Sequence, residues 1–210
     1  MKRFAFTMLE LVFVIIVIGI LAVLAMPNFN RHPLQEAAEQ VAGHIRYTQH
    51  LAMVDDKFDA NDAAYYMKRW QIRFRKNTNT LYYAVYSDKN QDRNVNCNVT
   101  FCDEPAIDPL TKKPLYYLAS RENKNMILSK QFGITSINVS CDVADSSLYT
   151  NSLGVIAFDN LGRPYNGIGN NTVGPYNFLL STPCIMTLTH PDGNATITIH
   201  PETGYVSVGY

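Results

Sequence analysis

Residues 1–27 read MKRFAFTMLELVFVIIVIGILAVLAMP, and they decide the organisation of the chain. The stretch from Leu11 to Met26 is an unbroken apolar run. Residues 6–26 are about long enough to cross a bilayer as a helix at roughly 1.5 Å per residue. Lys2 and Arg3 come first, so the positive-inside rule places the start of the chain in the cytoplasm. The sequence therefore predicts an exported domain behind one membrane helix.

Glu10 is the one charged residue inside this apolar segment. An ionised group in hydrocarbon costs roughly 2.5 kcal/mol or more even on lenient insertion scales, so its presence needs a reason. An ordinary secretory signal peptide supplies none, and it ends in a small-x-small cleavage site. Residues 22–25, Ala-Val-Leu-Ala, fit that pattern poorly.

Residues 6–16, FTMLELVFVII, together with Gly19 and Pro27, resemble the amino-terminal signature of type IV pilins and pseudopilins. The resemblance implies that a prepilin peptidase cleaves between Ala5 and Phe6 and that the new amino group of Phe6 is methylated. The family usually has glycine before the cut, where this chain has Ala5. The apolar helix then stays in the mature protein.

Within this resemblance Glu10 acquires a physical role. When subunits pack their helices into a filament, each new amino terminus is a cation entering an apolar bundle, where an unpaired charge is costly. A carboxylate four residues along the helix can neutralise such a terminus, and in the family it is thought to meet that of the neighbouring subunit. Glu10 is thus expected to set the register of assembly. The alternative is a tolerated charge in a simple membrane anchor.

The apolar helix is expected to continue as an amphipathic helix. Pro27 and Pro33 bracket residues 28–32, where a kink or short melted stretch is expected. Beyond them, apolar residues recur at three- and four-residue steps to about Val54, and the stripe is expected to cover a sheet. Its members are Leu34, Ala38, Val41, Ile45, Thr48 and Ala52.

The remaining chain has the alternation of β-strands. Residues 70–75 alternate apolar and polar side chains, and the turn 76–80 leads into residues 81–86, which predicts an antiparallel hairpin. Residues 185–189, 195–199 and 205–208 predict a three-stranded meander, because turn-forming residues separate them. Residues 154–159 predict a further strand.

These elements predict an α+β fold, in which a long N-terminal helix with a transmembrane half and an amphipathic half packs on an antiparallel β-sheet. The expected segments are a leader at 1–5, the transmembrane and assembly helix at 6–26, its amphipathic continuation at 27–54 and an exported β-rich domain at 55–210. The outline, with the loop FDNLGRP at 158–164, resembles the H-class minor pseudopilins of type II secretion.

The segment from Tyr86 to Asn94 contains a candidate calcium loop. Asp88, Asn90 and Asp92 place side-chain oxygens at alternate positions, the spacing by which a tight loop wraps a hard cation. Arg93 stands where glycine is expected, and Val99 where a closing acid is expected. The alternative is a solvated turn.

The four cysteines Cys97, Cys102, Cys141 and Cys184 form an even set, so disulfides are expected in an exported domain. Three pairings are possible. Closeness in sequence favours Cys97 with Cys102, which leaves Cys141 with Cys184. A zinc site would need tighter paired spacing.

A strip of basic residues lies along the first predicted strand. Arg73, Arg75 and Lys76 belong to it, and the two arginines lie on the face opposite Trp70 and Ile72. Some minor pilins of DNA-uptake machines bind DNA through such exposed strips, so DNA binding is one interpretation. A solvated outer face explains the same alternation.

Two other patterns in the sequence give weaker functional signals. The histidines are scattered and no acid or nucleophile stands at a catalytic spacing, so no enzyme is expected. Asn194-Ala195-Thr196 is an acceptor sequon in a turn, preceded by Asp192. Most sequons stay unmodified, and the sequence alone does not make this one a site.

The predicted function is therefore structural. With 18 basic and 18 acidic residues in 210, the chain has no overall field that would select a polyanion. We expect a minor pilin or pseudopilin of a type IV pilus or type II secretion system, held in the bacterial inner membrane with its C-terminal domain in the periplasm. Its expected partners are other pilins, the prepilin peptidase and the assembly platform, with calcium as the one possible cofactor. The alternative is a DNA-binding minor pilin of a DNA-uptake machine.

Overall fold

The chain divides into two units, residues 1–32 and residues 33–210. The computed structural model describes residues 7–25, 32–93, 103–117, 123–141, 152–169 and 174–210. Within these ranges the first unit contains one helix, and the strands lie in the second unit.

Helix α1 of the first unit runs from Met8 to Ala25, and its side chains are exposed through residue 22. Eighteen residues extend about 27 Å along a helix axis, against about 30 Å for the hydrocarbon core of a bilayer. Within the described parts of the chain, no helix has both the length and the apolarity that crossing a membrane requires.

The prediction of one long N-terminal helix is wrong. Helix α2 runs from Pro33 to Val54 as a separate element of the second unit. Proline is favoured at the first helical position because it has no N–H to donate, and it disfavours helical backbone at the residue before it, here His32. Pro33 therefore begins a new helix, and His32 is not helical.

Helix α2 packs its apolar side against the sheets of the second unit. The predicted stripe is buried except at Leu34, which is half-buried. Ala37 and Ala42 widen the buried face, and their small side chains let the helix approach the strands closely. The polar side of α2 is also anchored: Arg46 donates to the carbonyl oxygen of Val206 at 3.0 Å.

In the described residues, nine strands form two antiparallel sheets. The first sheet has the order β3-β2-β1-β5-β6, and the second has the order β4-β7-β8-β9. The strands are β1 (Trp70–Asn77), β2 (Thr80–Ser87), β3 (Glu104–Pro105), β4 (Ser136–Val139), β5 (Ser152–Phe158), β6 (Pro164–Tyr165), β7 (Cys184–His190), β8 (Gly193–Ile199) and β9 (Val206–Gly209). Short helices cover Tyr65–Lys68, Lys124–Met126 and α3 (Leu128–Gln131).

The predicted hairpin and meander are confirmed. Strands β1 and β2 pair from Trp70 opposite Ser87 to Asn77 opposite Thr80, so two residues form the turn. In the second sheet, β8 pairs with both β7 and β9, as the turn residues between them predicted.

Strand β1 is buried on both faces over its first five residues. Trp70, Ile72 and Phe74 belong to the main core. The opposite face is covered in part by the loop after β2, where the carbonyl oxygen of Arg93 accepts a hydrogen bond from Arg73, and by Tyr116, which packs with Ala84 and Tyr86 of β2. Simple alternation predicts that the outer face of β1 meets solvent. Over the first five residues of the strand this prediction is wrong.

Candidate functional site

The start of α1 contains Glu10, the one charged residue of the apolar segment. The N–H of Glu10 donates to Thr7 Oγ1 at 3.3 Å and lies 3.1 Å from the carbonyl oxygen of Thr7. Thr7 thus caps the helix, and the Thr-x-x-Glu spacing is that of a capping box. Glu10 is exposed in the first turn, where the helix dipole favours negative charge. Ala5 and Phe6 lie outside the described residues, so cleavage and methylation stay predictions.

The surface of α1 is apolar on every side. Leu9 is 83% exposed and Leu11 is 53% exposed, and side chains two residues apart on a helix lie on nearly opposite sides. A helix of this kind offers no chemistry for catalysis. It can bury its surface against other apolar helices or lipid, and the Glu10 carboxylate is then the one charge to be satisfied.

The predicted calcium ligands lie in a loop held by its own hydrogen bonds. Asp88 is buried, and its Oδ2 accepts the N–H of Arg93 at 2.7 Å. Asn90 Oδ1 accepts the N–H of Asp92 at 3.2 Å, and Asn90 Nδ2 donates to Asp92 Oδ2 at 3.0 Å. Burial raises the pKa of Asp88 to about 6. Asn90 thus turns its amide toward Asp92 and not toward a common centre with Asp88.

No group of three or more His, Cys, Asp or Glu in the described ranges could hold a metal ion. Calcium binding therefore stays a prediction, without a preformed ligand cluster to support it. Asp88 Oδ1 is buried and has no hydrogen-bond partner among the described residues.

One of the favoured disulfides is present. Cys141 follows β4 and Cys184 begins β7, and their sulfur atoms are bonded with the Cα atoms 4.9 Å apart. The bond joins two strands that are already neighbours in the second sheet. Cys97 and Cys102 lie outside the described residues, so their pairing stays a prediction.

The basic strip does not form the exposed surface that was expected. Arg73 is only 1% exposed, and its Nη1 donates to the carbonyl oxygen of Arg93 at 2.6 Å. The Arg73 guanidinium also lies 5.7 Å from the centre of the Tyr86 ring. Arg75 is half-buried, and only Lys76 of the three is exposed. The expectation of an exposed Arg73 is wrong because covering segments bury this face of β1.

A polar cavity of about 260 Å³, which sequence reasoning missed, lies at the C-terminal end of α2. One wall is an ion-pair cluster: the Lys57 ammonium binds Asp55 and also Glu104, at 3.0 Å. Trp70 Nε1 donates to Asp55 at 2.9 Å. Burial opposes ionisation of Asp55, but the hydrogen bonds from Lys57 and Trp70 outweigh it and lower its pKa.

The opposite wall comes from the loop after β5. Asp159 accepts two bonds from the Arg163 guanidinium, at 2.7 and 2.8 Å, and one from the Tyr165 hydroxyl at 3.0 Å. Burial raises the pKa of Tyr165 to about 12. Within each wall, the acidic side chains are therefore paired with basic ones. The loop at 158–164 is the one signal of this wall in the sequence, and by itself it indicates topology but no cavity.

Comparisons with known proteins do not assign the chain to a family. No protein-family profile, no curated protein and no solved structure matches it. The pilin resemblance therefore rests on the amino-terminal residues themselves.

Proposed function

We propose that the chain is an exported filament subunit, a minor pilin or pseudopilin of a type IV pilus or a type II secretion pseudopilus. The observation that carries the proposal is α1, a helix exposed and apolar on all sides with one carboxylate in its first turn. Exposed apolar surface of this extent marks a site of association with protein or membrane. Other pilins are the proposed partners of α1.

Glu10 has a defined task in this proposal. Cleavage between Ala5 and Phe6 creates an amino group just before the Thr7 cap, so the new cation and the carboxylate lie at the same end of α1. In a helix bundle the Glu10 carboxylate pairs with the amino group of a neighbouring subunit. Breaking a buried charge pair costs roughly 3 to 5 kcal/mol, which is enough to decide whether a subunit enters the filament.

The proposed location is the bacterial inner membrane before assembly, with residues 33–210 in the periplasm. The Cys141–Cys184 disulfide supports the oxidising compartment, since such bonds persist mainly outside the cytoplasm. The prepilin peptidase and the assembly platform would act on the subunit there.

DNA capture, the alternative function, gains no support from the geometry. Its strongest residue, Arg73, is buried and bonded to Arg93, so it offers no contact to a phosphate backbone.

Co-purification of the subunit with its partner pilins tests the assembly role. Glu10→Leu should reduce the recovered subunit about tenfold or more, and Glu10→Gln should give an intermediate value, because it keeps a hydrogen-bond acceptor but not the charge. Glu36→Leu is the matched control, since Glu36 is an exposed acid in the first turn of α2. Equal recovery of Glu10→Leu and the wild type would refute charge neutralisation.

Intact-mass measurement of the membrane-extracted protein tests the processing step. We expect a chain that begins at a methylated Phe6. A chain that begins at Met1, or near Pro27, would overturn the pilin proposal.

A further inference from the structure

We propose that Asn194 is an N-glycosylation site of the exported domain. The segment Asp192-Gly193-Asn194-Ala195-Thr196 supplies an acceptor amide, a hydroxyl two residues later and a carboxylate two residues earlier. This is the acidic form of the acceptor pattern used by bacterial oligosaccharyltransferases. The inference rests on the proposed export of residues 33–210, because the sugar donor and the transferase act on that side of the membrane.

The acceptor stands at an open hairpin tip. Asn194 is exposed next to the turn between β7 and β8, and the side chain of Asp192 is 75% exposed. A Cβ atom placed on Gly193 would meet no atom within 4 Å, so this position of the turn is open, and Asp192 Oδ2 lies 3.2 Å from Nδ1 of His190 on the same hairpin. An enzyme can therefore reach both the amide and the carboxylate.

The pairing of β8 also leaves the acceptor at its less constrained end. Strand β9 pairs with β8 only from Thr196 onward, so Gly193 and Asn194 pair with β7 alone. The Thr196 hydroxyl lies 3.4 Å from the carbonyl oxygen of Gly209, which is a weak contact. Fraying of the first four residues of β8, Gly193 to Thr196, would present the whole acceptor segment, and of these four only Thr196 also pairs with β9.

A second sequon on the same sheet provides a comparison. Asn138-Val139-Ser140 also has an exposed asparagine, at the edge strand β4, but Ser136 stands two residues before it. The Ser140 hydroxyl oxygen already accepts the N–H of Ile185 at 2.9 Å. The other two sequons begin at Asn98 and Asn170, outside the described residues, and neither has an acid at the same spacing. Asn194 is thus the acceptor that the sequence and the geometry both favour.

The reaction is a transfer from a lipid-linked oligosaccharide. The amide nitrogen of Asn194 bonds to the anomeric carbon of the sugar, and the bond from that carbon to the diphosphate oxygen breaks. The lipid diphosphate leaves with the bonding electron pair, and the amide nitrogen gives up one proton. The carboxylate of Asp192 stays unmodified and serves as a recognition contact.

Expression of the full chain in a bacterium that carries an oligosaccharyltransferase and its lipid-linked donor tests the site. Intact mass and glycopeptide mapping should show one added oligosaccharide on the wild type. Asn194→Gln and Asp192→Asn should lower its occupancy at least tenfold, while Asp192→Glu and the matched control Asn138→Gln should keep it.

Formation of the Cys141–Cys184 disulfide in the same samples reports export and folding. An oxidised wild type without the oligosaccharide, or an Asn194→Gln variant that still carries it, would overturn the glycosylation inference alone. Reduced cysteines throughout would show that the domain is not exported, which would overturn the proposed function and the inference with it.

Discussion

At the scale of single residues, Gln49 ties two distant turns to α2. Its Nε2 donates to the carbonyl oxygen of Gly162 at 2.9 Å and to that of Thr203 at 2.8 Å. The two turns approach so closely that a Cβ atom on Gly204 would lie 2.6 Å from the Gly162 oxygen. Gly204 also has a φ of +63°, a backbone conformation that favours glycine.

Gly204→Ala should therefore destabilise the protein by about 1 to 3 kcal/mol, since neither the backbone nor the neighbouring carbonyl can relax cheaply. Gly43→Ala is the control with the opposite sign. Gly43 lies inside α2 with open space around it, and alanine there should stabilise by about 0.5 to 1 kcal/mol. Urea unfolding of both variants checks the pair, and a neutral Gly204→Ala would contradict the close approach.

Asp88 gives a second prediction, about pH. Burial raises its pKa to about 6, from 3.8, so the folded state holds the proton more tightly than the unfolded chain. The contribution of Asp88 to the free energy of unfolding should therefore fall as the pH rises from about 4 to about 6. Asp88→Asn should stabilise the protein at pH 7.5 by about 2 to 3 kcal/mol and have little effect at pH 4.

Unfolding midpoints of the wild type and Asp88→Asn across this pH range measure the effect. Asn125→Asp, a new acid at an exposed position, is a suitable control that should show no such pH dependence. A calcium ligand would behave in the opposite way, because Asp88→Asn would then lose stability when calcium is present.

At the scale of elements, local patterns predicted the hairpin β1–β2, the meander β7–β9 and the buried stripe of α2. These elements follow from side-chain period and turn residues, which lie next to one another in the chain. The burial of Arg73 could not be predicted in this way, since the loop whose Arg93 carbonyl accepts its hydrogen bond shows no periodicity. The prediction of one long helix, with a kink or short melted stretch between Pro27 and Pro33, is wrong because Pro33 disfavours helical backbone at His32 and begins a separate helix.

The disulfide between β4 and β7 provides an element-scale prediction. It closes a separation of 43 residues, and bonds of this kind typically contribute 2 to 4 kcal/mol by restricting the unfolded chain. The double variant Cys141→Ala and Cys184→Ala should lower the free energy of unfolding by about that amount. Urea unfolding under oxidising conditions checks it, and Ser136→Ala, at an exposed position of β4, is a control that keeps the bond. An unchanged midpoint would show that strand pairing alone holds β4 in place.

At the scale of the whole molecule, one of the two candidate sites could be found from the sequence and the other could not. Glu10 could be found from the sequence because one acid in an apolar run is a local anomaly. The cavity at the end of α2 could not, because Asp55, Trp70 and Asp159 come together through the pairing of β1 with β5 and the packing of α2 against both strands. Asp55 and Asp159 lie about a hundred positions apart, and no spacing rule connects them.

The two-unit organisation predicts that residues 33–210 fold without residues 1–32. The core residues that the structure describes for this unit belong to α2 and the elements after it, and the exposed apolar side chains of α1 belong to the first unit. A fragment that begins at Pro33 should be monomeric without detergent and should form the Cys141–Cys184 bond. The full chain should self-associate unless detergent covers α1.

Light scattering and urea unfolding of the fragment measure this independence, and a second fragment provides the control. A chain that begins at Gly43 lacks Ala38 and Val41, which are fully buried against the sheets, and the exposed strand surface should make it aggregate. If the fragment from Pro33 aggregates as well, then α1 contributes to the stability of the second unit. The apolar surface of α1 would in that case serve the fold of its own chain, and its assignment to filament assembly would lose its main support.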